Sequence, residues 1–280
     1  MNPQLQWAIR RSEHLLPVFF LSLFLQTYGQ SLSIDARERA LGNICSVGDN
    51  SLPSTMNPGT LGNIKQVGSS ISHAQPFFVR DLGISSLSVF LPAGHGSFRL
   101  GTSTVGINDF KIFNWSLNYG LKLGEKLSAG VNFNYSNTMS SGEWNYLWRI
   151  SPGAGLLYQP TEKTRLGMVI NNPVSISNHS GYGPFEPSLI AIGISHETYE
   201  NTWIMTEVSM NSSGDLCLKG ALEYVLKTGP DFRAGFSSNP YLLSFGSGYR
   251  WGNVQTDLTF GWTELLGFTP SITISYFPVK

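Results

Sequence analysis

Ten charged residues recur on one side of an alternating pattern: Arg99, Lys122, Arg149, Arg165, Glu207, Lys219, Glu223, Arg233, Arg250 and Asp257. Their companions on that side are small or polar, and their chain neighbours are mostly apolar. Both signs are present. Two chemistries follow: ion pairing inside a polar interior, or a ring of charges that selects a passing solute. Two thiols, Cys45 and Cys217, are the only cysteines. In an oxidising compartment they form a candidate disulfide; two separate buried thiols are the other reading. The histidines after residue 30 are His73, His95, His179 and His196, scattered over different strands or loops. No Gly-x-Ser-x-Gly elbow accompanies them, and no nucleophile has a histidine beside it. No metal-ligand spacing and no phosphate loop is present. The expectation is a protein that is not an enzyme, with no catalytic residue, no metal and no cofactor.

Such charges need elements that present them on one face. Phe113, Trp115, Leu117, Tyr119 and Leu121 alternate with Asn114, Ser116, Asn118, Gly120 and Lys122. Leu127, Ala129, Val131, Phe133 and Tyr135 alternate with Ser128, Gly130, Asn132, Asn134 and Ser136. Period-2 alternation marks strands with two unlike faces, and Gly124-Glu125 between them marks a hairpin. The same reading gives strands at 64–75, 82–92, 95–105, 111–123, 127–136, 147–158, 164–172, 187–196, 201–210, 215–226, 230–237, 240–250, 253–262 and 269–278. That is 14 strands, each long enough to cross a bilayer when tilted. Every second connection is short, and the two longest, 137–146 and 173–186, fall in the other set. Bacterial membrane barrels have an even strand number, short periplasmic turns and longer outside loops.

Composition agrees. The 280 residues hold 18 basic and 18 acidic side chains, 13% charged in all, with 12% aromatic and 30 glycines. Soluble domains average about 25% charged. A near-zero balance leaves no electrostatic footprint for nucleic acid. Polar side chains on the lipid side find no hydrogen bonds, so the apolar face is the outer one and the ten charges point inward. Inward glycines at 120, 130, 153, 155, 167, 193, 235, 246, 248 and 261 leave room for another segment in the lumen.

Arg10 and Arg11 precede the apolar run 15–25, with small residues Thr27 and Gly29 before a cut after Gly29. This reads as a signal peptide over 1–29 for the general secretory route. Its removal leaves 16 basic against 17 acidic residues. The stretch 39–59 is too broken by Gly and Asn for a good helix and too irregular for a strand. It reads as part of a plug segment over 30–63, before a barrel over 64–280. Asn57-Pro58-Gly59 is a turn signal, because Pro fixes φ and Gly accepts positive φ. Arg39 and Asp49 are its charged candidates, Asp49 for inward arginines.

Arg39-Ala-Leu-Gly42, Asp49-Asn50 and Asn57-Pro58-Gly59 together resemble the opening of the FadL-like outer-membrane family. The phrases Leu123 to Val131 and Tyr158 to Gly167 are similar to the short PorV/PorQ-like barrels of Bacteroidetes. The resemblance implies a 14-stranded antiparallel transmembrane barrel with an N-terminal plug, in the outer membrane and in contact with its lipid. It implies an accessory subunit of a type IX-like protein secretion or surface assembly, partnered by a larger outer-membrane complex or translocon. The alternative it implies is a passive channel for a hydrophobic ligand. The chain is short for the fatty-acid branch, which favours the accessory reading.

Overall fold

The computed structural model describes residues 33–48, 52–107, 110–140, 147–178, 188–226, 228–264 and 266–278. The segment 1–29, Asp49, Trp144 and His179 lie outside the described residues. The strands are β1 (Gly68–Ala74), β2 (Ile84–Ala93), β3 (Gly96–Ile107), β4 (Phe110–Lys122) and β5 (Leu127–Ser140). Then come β6 (Leu147–Thr161), β7 (Thr164–Asn171), β8 (Ile176–Ser177), β9 (Leu189–Tyr199) and β10 (Thr202–Asn211). The last are β11 (Leu216–Tyr224), β12 (Asp231–Ser238), β13 (Tyr241–Trp251), β14 (Val254–Thr263) and β15 (Gly267–Tyr276). Every pairing is antiparallel, and β1 pairs with both β2 and β15, so the sheet closes on itself. Fourteen long strands form the ring, and the two-residue β8 is an addition.

The alternation becomes two surfaces. Leu100, Leu117, Phe133, Leu156, Ile192 and Phe245 point outward and are exposed. The intervening positions point into the lumen, where Asn118, Ser195, Ser244, Asp257 and Thr273 are fully buried or nearly so. A charge on the lipid face at mid-depth costs about 2–4 kcal/mol. The exposed outer belt is therefore a lipid contact, and the buried side is polar because it is the inside.

Short turns between β2 and β3, β4 and β5, and β6 and β7 share one rim. The opposite rim carries the connection 75–83 and residues 172–178. There β7 stops early. Asn172 takes a left-handed φ of 53° just before Pro173, which cannot donate to the ladder. Pairing to β6 passes to β8, with Arg149 opposite Ser177.

Residues 33–48 and 52–64 lie against the inner wall and are mostly buried. The reading of 39–59 as neither helix nor strand needs one correction at its start. A short helix α1 spans Ala36–Ala40, because Asp35 caps it by accepting the Arg37 and Glu38 N–H groups at 2.9 and 3.2 Å. Gly42 and Asn43, both with positive φ, end it. Farther on, Asn57 caps a 3-10 turn over Pro58–Asn63. Wall glycines make room for this path. A Cβ on Gly167 would collide with the Ser46 carbonyl, and one on Gly235 with the Gly42 backbone. No helix among the described residues is long and apolar enough to cross a membrane.

Candidate functional site

All ten alternating charges lie on the inward register. Arg99, Arg165, Glu207, Lys219, Glu223, Arg233 and Asp257 are buried, and Arg149 is half-buried near the long-loop rim. Lys122 and Arg250 are exposed at the short-turn rim. The buried ones form two ionic clusters that grip the inner segment. In the first, Glu207 on β10 accepts the Cys45 and Ser46 N–H groups at 2.8 and 2.7 Å. It also accepts the Ser46 hydroxyl at 2.6 Å and the Lys219 ammonium at 2.7 Å. Lys219 in turn donates to the Asn43 carbonyl at 2.7 Å. In the second, Glu223 accepts from Arg37 at 2.7 Å and from Arg233 at 2.7 Å. Arg233 also reaches Asp257 at 2.6 Å. A charge buried in this way is tolerated only when it is paired and hydrogen-bonded.

The remaining arginines hold backbone. Arg165 donates to the Gly48 carbonyl at 3.2 Å, with its guanidinium 4.3 Å from the Trp203 ring centre. Arg99 donates to the Ser54 carbonyl at 3.3 Å. Arg39 donates to Ser33 O at 3.2 Å, and burial pulls its pKa down to about 10. The Asn57-Pro58-Gly59 turn is pinned by one amide. Asn57 donates to the Ser46 carbonyl at 2.5 Å and the Leu156 carbonyl at 3.0 Å, and accepts the Gly59 N–H at 2.9 Å.

Cys45 and Cys217 are not bonded to each other; both are buried. Cys45 packs with Val169, Leu189 and Ala191. The Cys217 thiol instead lies 3.1 Å from the Ser237 hydroxyl on β12. The candidate disulfide is corrected on that ground: the two thiols face different neighbours. Burial and the nearby Glu207 push the Cys45 thiol well above its usual range. Asp35 is raised to about 7, chiefly by burial within the barrel and then by Glu38.

Cross-strand register assembles a site that alternation alone could not name. Ser88, Gly101, Ser116, Asn134 and Ser151 stand opposite one another across β2 to β6. A second row holds Arg99, Asn118, Asn132, Gly153 and Asn171. Ser88, Gly101, Ser116 and Asn134 of the first row and Arg99, Asn132 and Asn171 of the second, with Thr55 and Met56 of the inner segment, line a cavity of about 130 Å³ inside the lumen. Arg99 is the one charged residue of its lining.

On the outer face of the same strands lies an apolar groove of about 500 Å³. Leu87, Leu100, Leu117, Phe133 and Ile150 form its sides. Cavity and groove share Gly101, Thr102, Trp115, Ser116 and Asn134. Gly101 offers no side chain there, and a Cβ would meet the Ser116 hydroxyl. A third, charged cavity of about 720 Å³ opens at the short-turn rim beside Arg37, Glu223, Asp231 and Arg250.

Neither a family model nor a curated protein matches the sequence. Solved structures match the fold. The CymD monoaromatic hydrocarbon channel superposes with a TM-score of 0.63 at 16% identity, over 89% of this chain and 99% of that one. The Pseudomonas putida toluene transporter TodX gives 0.60 at 12%, over 89% and 97%. The Ralstonia pickettii toluene transporter TbuX gives 0.58 at 13%, over 87% and 97%. A Pseudomonas aeruginosa FadL homologue gives 0.53 at 11%. The class is therefore a closed, 14-stranded barrel of the FadL-type outer-membrane fold. These neighbours overturn the accessory reading: they are channels and transporters, none of them a subunit of a secretion assembly. The short chain length that favoured that reading does not stand against a likeness covering nearly all of each channel.

Proposed function

We propose that this protein is a passive channel for small hydrophobic molecules in the outer membrane. One observation carries the reading: the apolar groove and the luminal cavity lie on the two sides of one stretch of wall, formed by Gly101, Thr102, Trp115, Ser116 and Asn134. An apolar molecule avoids bulk water by lying in the groove, and Gly101 adds no side chain to the wall behind it. The FadL-type fold supports the reading, since its neighbours are described as toluene and monoaromatic hydrocarbon carriers. The inner segment would serve as a plug that blocks the axial path and leaves the side of the barrel as the route. Residues 1–29 would direct export, and the ionic clusters would hold the plug in place.

Proteoliposome uptake of toluene tests this. Wild-type protein is expected to raise uptake clearly above protein-free vesicles. Gly101→Leu, which fills the shared patch, is expected to cut the gain several-fold. Uptake equal to that of empty vesicles would remove the proposal.

A further inference from the structure

We infer that the connection 75–83 is a membrane-interface anchor, whose apolar side chains sink into the outer leaflet beside the β1–β15 seam. Its partner is lipid, at the boundary between acyl chains and headgroups.

The seam is where a strand falls short. A tilted strand needs about 9–11 residues to cross a bilayer, and β1 has 7. It stops with Ala74 opposite Ser271 and Ile84, while β15 reaches on to Gly267 and β3 to Ile107. The connection fills the notch this leaves. Its first 3-10 turn, Pro76–Phe78, packs on β15, and its second, Arg80–Leu82, packs on β3. The Gln75 N–H donates to the Pro270 carbonyl at 2.9 Å, and the Phe77 N–H to the Thr269 hydroxyl at 3.3 Å. The connection therefore stands beside the part of β15 whose outward residue, Phe268, belongs to the lipid belt. Depth is marked by side chains. On the outward register His73 and Ser85 are polar, with Nδ1 2.9 Å from Oγ, and the next pair toward the short-turn rim, Ile71 and Leu87, is apolar. The headgroup layer thus begins at the foot of the connection.

The connection is built for that layer. Lipid offers no partners to bare backbone. Here the Phe78 N–H donates to the Gln75 carbonyl at 3.3 Å and the Val79 N–H to the Pro76 carbonyl at 2.9 Å. Leu82 and Gly83 donate to the Val79 and Arg80 carbonyls, each at 3.2 Å. The Gln75 amide also donates to the Val79 carbonyl. The side chains, by contrast, are left uncovered: Phe78 is 65% exposed, Val79 44% and Leu82 43%. Phe77 and Phe78 both take left-handed backbone, with φ of 56° and 57°, a conformation that is costly for bulky residues. Burial of these side chains away from water offsets that cost. Continuity with the belt makes the cover lipid. Arg80 and Asp81, both exposed, cancel in charge, so apolar burial drives the contact and attraction for phosphate does not.

A single NBD fluorophore reads the burial. It is attached to Phe78→Cys in a full chain carrying Cys45→Ser and Cys217→Ser, checked for heat-modifiable migration as a folded barrel and placed in phosphatidylcholine nanodiscs. Leu82→Cys serves where Phe78→Cys does not fold. Glu125→Cys, exposed in the turn between β4 and β5, is the aqueous reference. Emission from position 78 is expected to be blue-shifted. Nitroxide placed high on the lipid chains is expected to quench it several-fold more than emission from position 125, and aqueous iodide to show the reverse order. Anionic lipid is expected to change neither. Equal iodide quenching at the two positions would overturn the anchor and leave the patch to a soluble partner. Shielding from both quenchers would overturn it in favour of a second copy of the chain as the cover. Nitroxide quenching that appears only with anionic lipid would overturn apolar burial as the driving force.

Discussion

Glu207 shows what one buried carboxylate does in this lumen. It is 2% exposed and receives five hydrogen bonds from Cys45, Ser46 and Lys219, one of them from the Cys45 thiol. Glu207→Gln leaves the Lys219 ammonium buried without its counter-charge. Breaking such a pair costs about 3–5 kcal/mol. The expected readout is Cys45, which in the wild type reacts with maleimide only after unfolding and in the variant reacts in the folded barrel. Asp35 carries a pH effect. Its folded pKa, about 7, lies above the ordinary aspartate value of 3.8. The folded state therefore keeps its proton longer than the unfolded chain does. Its stabilising contribution is full below about pH 4 and is lost as pH rises through 7. Stability measured across pH 4 to 7 should slope downward, and Asp35→Asn should flatten the slope.

At the scale of elements, the wall glycines and the inner segment fit each other. Gly120 and Gly130 face Pro58, Gly155 faces Asn57, and Gly167 and Gly193 face Ser46. Gly167→Val forces a side chain into the Ser46 carbonyl. Overpacking of this kind costs typically about 1–3 kcal/mol. Limited proteolysis should then cut the chain near residue 46, where the wild type is protected. Strands and faces were legible in the chain because a period of two survives in any single segment. Phe113 to Leu121 and Leu127 to Tyr135 announce both their extent and their outer face. The cavity was not legible, because Ser88, Gly101, Ser116 and Asn134 are neighbours only through register across four strands. Single-strand alternation marks each as inward and says nothing of what stands opposite. The helix α1 was hidden by the glycine and asparagine that follow it, although Asp35 supplied its cap. Trp203 sits on the inward register beneath Arg165.

For the whole molecule, the barrel encloses its own N-terminal segment. Removal of residues 33–64 should turn a bilayer with no resolved axial current into one with large, steady conductance steps. Unchanged conductance would mean that the segment does not close the axis. The hold on it is uneven. Residues 37 to 48 are tied largely by charged groups of β7, β10 and β11, whereas Asn57 and Leu61 are held by neutral bonds to Leu156 and Ser97.

One contact bears on how the barrel is made. The Ala36 N–H bonds the Thr273 hydroxyl at 2.8 Å, and the Ala36 carbonyl accepts from Thr259 at 2.5 Å. Those partners lie 237 and 223 residues farther along the chain. Synthesis delivers α1 long before β14 and β15 exist, so its native anchorage is missing until the final hairpin arrives. Loop closure over such separations is slow. The last hairpin therefore has two tasks at once: it seals the ring against β1 and it completes the anchorage of α1.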